Sequence, residues 1–288
     1  MGFISLPVSA FLYWLMLRSK KENPFPKSGF FLLLIAGAIS VGVSVVLNLP
    51  LSGIVSFFHL GILSDLDRWT LAIKENPAAI SEMVQNALKN TPPTFFWKLI
   101  DMFFAAGLLE EGLKFLTCRL VIRREGMIRT WMDSVAAFAI VGITFEFLEN
   151  IAFGMDSDFL SALMRAVASA HFVFGVIMGY YYGKYLVKRQ KKYLWLSFWI
   201  PVIYHTVTNA LIASAPLNRA LDVLGTATAI SHIVAVVLTV ILVFRWQKKR
   251  MLDIQIQNDN IIQTEGEYNG QPKEQIYRPS MPSGFRIE

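Results

Sequence analysis

Seven long runs of apolar residues dominate this sequence and restrict the folds that it can adopt. They cover about residues 2–17, 29–49, 97–118, 131–154, 162–183, 194–214 and 224–246. A helix needs about 20 apolar residues to cross the roughly 30 Å hydrocarbon core of a bilayer, and only the first run is clearly shorter. The sequence therefore predicts an all-α fold, a polytopic transmembrane helix bundle with about seven spans, with Pro50 ending or kinking the second.

The basic residues alternate with these runs, and their distribution predicts the orientation of the chain. Lys and Arg cluster after the first, third, fifth and seventh runs, whereas the two short connections on the opposite side hold only Arg165 and Arg219. Cytoplasmic loops carry the excess of Lys and Arg in membrane proteins. We therefore expect the N-terminus outside and the C-terminus in the cytoplasm.

The spans divide the chain into four predicted regions. Residues 1–58 hold the first two spans, 59–96 form an external loop with a short amphipathic helix over 77–88, and 97–250 form the bundle with the candidate site. The polar residues 251–288 are expected to be a disordered cytoplasmic tail.

Composition argues against nucleic-acid binding and against sites built from cysteines. The chain is 54% hydrophobic and 17% charged, and its net charge of +6 comes from basic residues at the ends of the apolar runs. Because no basic patch interleaved with aromatic residues is present, nucleic-acid binding is not expected. The one cysteine, Cys118, can form neither an internal disulfide nor a thiolate metal site.

Ionisable residues interrupt four of the apolar runs. In the third run, Glu110 and Glu111 are adjacent, and Lys114 follows at a spacing that lets it neutralise one of them. A charge at the bilayer centre costs at least about 2.5–3.5 kcal/mol, so a chain that keeps several charges there usually uses them. These three residues are therefore functional candidates.

The next three runs supply further polar residues at similar depth. Glu146 and Glu149 share a helix face, His171 stands alone in the fifth run, and His205 and Asn209 share a face in the sixth. At 1.5 Å of rise per residue, all these positions fall within about 10 Å of one another in depth. One buried, wet cavity could therefore contain them all.

Such a cavity is suited to hydrolysis. A buried glutamate, Glu110 or Glu111, can act as the general base on water, while a histidine and the Asn209 amide stabilise the oxyanion of a tetrahedral intermediate. Alternatively, histidines and carboxylates can bind Zn²⁺, which activates its bound water. The candidate metal ligands are Glu146, Glu149, His171 and His205. The residues leave both schemes open.

Other interpretations compete with hydrolysis. Lys114 could form a purely structural ion pair, and His171 or His205 could each make a helix–helix hydrogen bond. His59, at the outer edge of the second run, and His232, without polar company in the last run, are expected to be structural. The rival function is a transporter or channel that uses the carboxylates as a proton or cation relay, although no repeat or obviously broken helix is present. A noncatalytic scaffold for partner helices is the third alternative.

The four motifs together resemble those of the PrsW family of intramembrane proteases. That family shows E-E-x-x-K, F-E-x-x-E-N, a lone His and H-x-x-x-[ND] in successive helices, and the resemblance covers about residues 100–214. Here the motifs read Glu110-Glu111-Gly112-Leu113-Lys114, Phe145-Glu146-Phe147-Leu148-Glu149-Asn150, His171, and His205 with Asn209. The family is similar to the CAAX-protease and bacteriocin-processing superfamily, which has F-x-x-x-H where this chain has Phe145 and Glu149.

The resemblance implies a membrane-embedded protease, of metallo- or glutamic type, in a bacterial cell membrane. Its implied partners are the lipid bilayer and a single-pass membrane protein substrate, such as an anti-sigma factor that receives its first cut on the outer side. From the residues themselves, the expected cofactor is Zn²⁺, with a metal-free glutamate mechanism as the alternative. With the residues themselves, the resemblance predicts five catalytic residues: Glu110, Glu111, Lys114, His205 and Asn209.

Overall fold

The computed structural model describes residues 2–18, 24–60, 94–124, 127–154 and 158–267, and the single residues 71, 74 and 86. Within this part of the chain, every regular element is helical and none is a strand, which confirms the all-α prediction. After a 3₁₀ turn, Gly2–Ser5, the helices are α1 (Leu6–Arg18), α2 (Lys27–His59), α3 (Phe95–Met102, Phe103–Leu108 and Leu109–Ile122), α4 (Trp131–Gly154), α5 (Phe159–Val167), α6 (Ala170–Lys188), α7 (Lys191–Ala213) and α8 (Arg219–Glu267).

Five helical stretches of the described chain are long and apolar enough to cross a membrane. They are Lys27–His59, Trp131–Phe153, Phe159–Lys188, Lys191–Leu217 and Arg219–Lys248, and Phe3–Arg18 is a shorter apolar helix. Helix α3, which contains Glu110, Glu111 and Lys114, is not among them. The count of seven spans and the orientation remain predictions.

The chain divides into two compact units, Met1–Val237 and Leu238–Glu288. The first unit contains α1 to α7, the beginning of α8 and all the candidate site residues. In the second unit, the described residues continue the helical backbone of α8 to Glu267. The predicted tail therefore begins in a helix, and its last residues, 268–288, lie outside the described part.

Helix α4 forms the centre of the first unit, and α6 packs directly on it. A Cβ atom added at Gly175 would lie 2.6 Å from the Phe138 carbonyl oxygen, and one at Gly179 would lie 2.6 Å from that of Ser134. Only glycine allows the two backbones to come this close, which is how small residues drive helix association in membranes. The Ser134 hydroxyl also donates to the Gly179 carbonyl, at 2.7 Å. These contacts fix the position of α6, which carries His171, relative to α4, which carries Glu146.

The structure departs from the expected helices at one important point. The fifth run, predicted as one helix over 162–183, is interrupted at Ala168 and Ser169, so that α6 begins at Ala170. The expectation that no helix is broken was therefore wrong. His171 is the second residue of α6 rather than the middle of a continuous span.

Two other expectations have different outcomes. Helix α2 continues through Pro50 to His59, so this proline does not end it. The amphipathic helix predicted over 77–88 lies outside the described residues, apart from Asn86.

Candidate active site

Helix α3 approaches α7 closely just before its two glutamates. Phe103–Leu108 is a π-helical segment, a feature that frequently marks functional sites. A Cβ atom at Gly107, in this segment, would lie 2.7 Å from the Val202 carbonyl oxygen of α7. Because of this close contact, Glu110 and Glu111 emerge against the face of α7 that carries His205.

Glu111 lies at the centre of the polar cluster, with none of its side chain exposed. Its Oε1 atom accepts hydrogen bonds from Lys114 Nζ at 2.6 Å and from His205 Nδ1 at 2.8 Å. Lys114 is also buried, at 3% exposure. The spacing of these residues predicted that Lys114 pairs with one of the two glutamates, and in the structure it contacts Glu111.

His171 connects the cluster to α4. Its backbone N–H donates to Glu146 Oε2 at 2.8 Å, so that a carboxylate of another helix occupies the start of α6. A helix N-terminus has unpaired N–H groups and favours negative charge. The imidazole accepts a hydrogen bond from Lys114 Nζ at Nδ1, and its Nε2 lies 3.1 Å from Glu149 Oε2. This pattern requires that Nε2 carries the proton and donates to Glu149.

His205 carries its ring proton on the other nitrogen, Nδ1. Its Nδ1 donates to Glu111, so its Nε2 is the acceptor and lies 3.0 Å from the Asn209 amide nitrogen. Asn209 is one turn after His205 on α7, as the sequence predicted. The two imidazole rings, of His171 and His205, have centroids 5.0 Å apart.

Two carboxylate oxygens of the cluster have no hydrogen-bond partner. They are Oε2 of Glu110 and Oε2 of Glu111, both buried. Glu110 Oε2 lies 3.8 Å from His171 Nε2. A buried carboxylate oxygen without a donor is unfavourable, and either a cation or a water molecule would satisfy it.

A cavity of about 230 Å³ extends from the cluster. Its lining residues are Glu146, Glu149, Met164, Arg165, Ala168, Ala170, His171, His205, Asn209, Ile212, Ala229 and His232. Arg165 of α5 lies 3.6 Å from Glu149 Oε2, and its Nε donates to Asn150 Oδ1 at 3.3 Å. Its side chain is 41% exposed. This arginine therefore ties the short helix α5 to the end of α4 beside the cavity.

One group of four residues could hold a metal ion within the described part of the chain. Ligand atoms of Glu110, Glu111, His171 and His205 all lie within 4.8 Å of one another. The ligand set expected from the sequence shares the two histidines but takes Glu146 and Glu149 from α4. In the structure, Glu146 contacts the backbone N–H of His171, and Glu149 contacts its imidazole ring.

The structure brings all the predicted site residues into one cluster and its adjoining cavity. Two polar residues of the cavity wall were not predicted from the sequence. Arg165 was considered only as a loop charge, although it lies six residues before His171. His232 was expected to be structural, yet it lines the cavity. A lone histidine in an apolar helix carries no signal of the direction it faces.

Fold and cluster together define a class of protein. It is a helical membrane protein whose interior holds carboxylates and histidines suited to activating water. Residues 25–245 match the PrsW family, described as PrsW family intramembrane metalloprotease. Since this match covers most of the 288 residues, the chain belongs to the PrsW family.

Curated relatives are similar to the chain over part of its length. A protein named Protease PrsW from Geobacillus kaustophilus is 34% identical over 116 residues, 39% of this chain and 52% of the relative. Those from Oceanobacillus iheyensis and Bacillus subtilis are 32% and 33% identical, over 39% and 36% of this chain and 54% and 50% of each relative. The chain thus spans about half the length of the curated relatives it matches. No solved structure matches it.

Proposed function

We propose that this protein is an intramembrane peptidase that hydrolyses a membrane-anchored protein substrate at the buried Glu/His cluster. The observation that supports this most strongly is the convergence of Glu110 and Glu111 from α3, His171 from α6 and His205 from α7. The two histidines, with Glu146 and Glu149, line a cavity where a peptide bond and a water molecule could meet. Membership of the PrsW family points to the same reaction.

The cluster also has the charge and donor atoms for a divalent cation. Four carboxylates, those of Glu110, Glu111, Glu146 and Glu149, are accompanied by only two cationic side chains, those of Lys114 and Arg165. With all six ionised, a charge of −2 remains, and one divalent ion would balance it. When bound, such an ion would polarise water or the scissile carbonyl, and imidazole and carboxylate are ligands that Zn²⁺ takes.

Two sets of ligands could bind a metal ion, one with Glu110 and Glu111 and one with Glu146 and Glu149. His171 and His205 belong to both sets. The set with Glu110 and Glu111 is supported by their unpaired buried oxygens. The set with Glu146 and Glu149 is supported by their place on the cavity wall. In either set, His205 Nδ1 donates to the Glu111 carboxylate, an arrangement typical of metal-binding histidines. The lone pair is then on Nε2, where the Asn209 amide nitrogen lies at 3.0 Å and a metal ion would take its place.

The remaining residues have roles that follow from their contacts. Glu110 is better suited than Glu111 to accept a proton from water, because Lys114 and His205 already occupy Glu111. Protonated Glu110 can then donate this proton to the leaving amine, and His171 Nε2 lies 3.8 Å from its Oε2 atom. The Asn209 amide lines the cavity and can donate to the oxyanion. Lys114 holds Glu111 and His171 in place.

The substrate class is inferred from the family resemblance. We propose a single-pass membrane protein, an anti-sigma-factor-like regulator, that receives its first cut here in a bacterial cell membrane. The curated relatives come from bacteria and are named proteases.

A proton or cation relay is the second candidate function. The observation that favours it is the break at Ala168 and Ser169, beside buried carboxylates, since broken helices form the ion sites of many transporters. A relay would conduct or transport ions and would leave a protein substrate intact.

One experiment separates the two functions. The protein is purified in detergent without chelator and mixed with a single-pass substrate, and cleavage is followed for wild type, Glu110→Gln and Thr228→Ala. Thr228 is the control, because its hydroxyl bonds only within its own helix. We expect wild type and the control to cleave and the Glu110 variant to be inactive. Ion flux into liposomes without cleavage would support the relay instead.

A further inference from the structure

His232 is a buried polar residue of α8 that the proposed chemistry does not use. Its side chain is 6% exposed, although the neighbouring Ile230 and Val234 are more than half exposed. The ring packs edge-on against Tyr204 of α7, with centroids 5.8 Å apart. Its Nε2 atom is buried and has no hydrogen-bond partner. It therefore faces into the bundle with one polar atom free.

His232, which carries this atom, lines the cavity beside the Glu/His cluster. Helix α8 contributes two residues to the lining, Ala229 and His232, one turn apart. Of these, His232 alone has a polar side chain. Because buried polar groups in proteins are almost always hydrogen-bonded, an unpaired one in a cavity wall marks a place where a ligand binds.

The size of the cavity indicates which part of a substrate reaches it. A helix with its side chains is about 10–12 Å wide, too wide for a cavity of about 230 Å³. A membrane-spanning substrate must therefore enter as a short extended segment. Unwinding frees backbone N–H and C=O groups, which need new partners in the absence of water.

Resting on the proposed function, we propose that His232 is a substrate-binding residue. Its Nε2 makes a hydrogen bond to a main-chain group of the extended segment beside the scissile peptide. The ionised carboxylates of Glu146 and Glu149 can only accept hydrogen bonds, and they lie on α4. His232 supplies a hydrogen-bonding group from α8. The contact holds the unwound substrate while the cluster acts on it.

The first test compares steady-state cleavage of a membrane-spanning substrate by wild type, His232→Leu, His232→Gln and Ser231→Ala. Ser231 is the matched control, an exposed neighbour whose hydroxyl bonds to the Thr228 carbonyl. Loss of one hydrogen bond should lower kcat/KM about three- to tenfold in the Leu variant, mainly through a higher KM. The Gln variant, which keeps a polar group, should recover most of this loss. Unchanged constants in His232→Leu would overturn the proposal.

A second test identifies the contact itself. Substrates are made with single backbone esters at successive positions around the cut site, which removes one N–H each and weakens the preceding carbonyl as an acceptor. At one position, the ester should slow wild type but cause no further loss in His232→Leu, because coupled changes are not additive. Additive losses at every position would refute the contact while cleavage by wild type upholds the proposed function. If wild type cleaved none of the substrates, both the His232 contact and the proposed peptidase function would be overturned.

Discussion

Glu111 and His205 are 94 residues apart in the chain and are joined by a hydrogen bond of 2.8 Å between Oε1 and Nδ1. The same Oε1 atom accepts from Lys114, so one oxygen connects α3 to α7 and the other has no partner. Glu110, the adjacent residue, has no such contacts at its Oε2. We therefore propose different tasks for the two neighbouring glutamates, a structural one for Glu111 and a chemical one for Glu110.

Glutamine substitutions should separate these tasks. Glu110→Gln keeps the shape of the side chain and breaks no contact of Oε2, so we expect near-normal thermal stability and loss of cleavage. Glu111→Gln removes the charge that balances buried Lys114 and should cost about 3–5 kcal/mol, together with activity. Thermal unfolding in detergent and the cleavage assay measure both. Equal stability of the two variants would contradict this division.

Lys114 provides a second, independent test of the same ion pair. Lys114→Met leaves Glu111 charged and buried, and we expect a loss of about 3–5 kcal/mol. The double variant Glu111→Gln/Lys114→Met removes both charges, so its loss should be smaller than the sum of the single losses by about 1–3 kcal/mol. A snorkelling lysine at the membrane edge would instead tolerate Met, and the losses would be additive.

Much of the site could be predicted because helix geometry fixes depth. The rise of each residue along its helix places Glu110, Glu146 and His205 at similar heights once the spans are known. Residue spacing also predicted the contact between Lys114 and Glu111. These relations are local to single helices, and they need no knowledge of how the helices pack.

What could not be predicted depends on packing between helices. The break before His171 occurs at Ala168, a strong helix former, and Ser169, a residue type favoured at N-caps that makes no side-chain cap bond here. It is accompanied by the bond from the His171 N–H to Glu146 of α4, a contact 25 residues away. Likewise, His232 could face lipid or cavity, because the rotation of α8 about its axis is set by its neighbours.

The orientation of the chain is testable with reporter fusions. We expect fusions at Lys20, Asn86 and Gln257 to report inside, outside and inside, because basic connections alternate along the sequence. Alkaline phosphatase and a fluorescent protein, active on opposite sides of the membrane, provide the readout. An external Gln257 would refute the seven-span arrangement.

Metal content should reveal which carboxylates are ligands. Protein purified without chelator should carry close to one transition-metal ion per chain, and removing it should stop cleavage until metal is restored. The variant pair Glu110→Gln/Glu111→Gln is compared with Glu146→Gln/Glu149→Gln. Loss of metal from only one pair identifies the ligand set, since a lost ligand weakens binding far more than a changed neighbour. Full activity of metal-free protein would support the glutamate mechanism.

A glycine in the contact between α4 and the start of α6 should also control the site. A Cβ atom at Gly142 of α4 would collide with the carbonyl oxygen of His171, whereas one at Gly42 of α2 would meet nothing within 4 Å. Gly142→Ala should therefore push the start of α6 away from α4, cost about 1–3 kcal/mol and displace His171 from Glu146. Gly42→Ala is the matched control and should be neutral or slightly stabilising. If Gly142→Ala cleaved at the wild-type rate with unchanged thermal unfolding, close contact at this glycine would not be what positions His171.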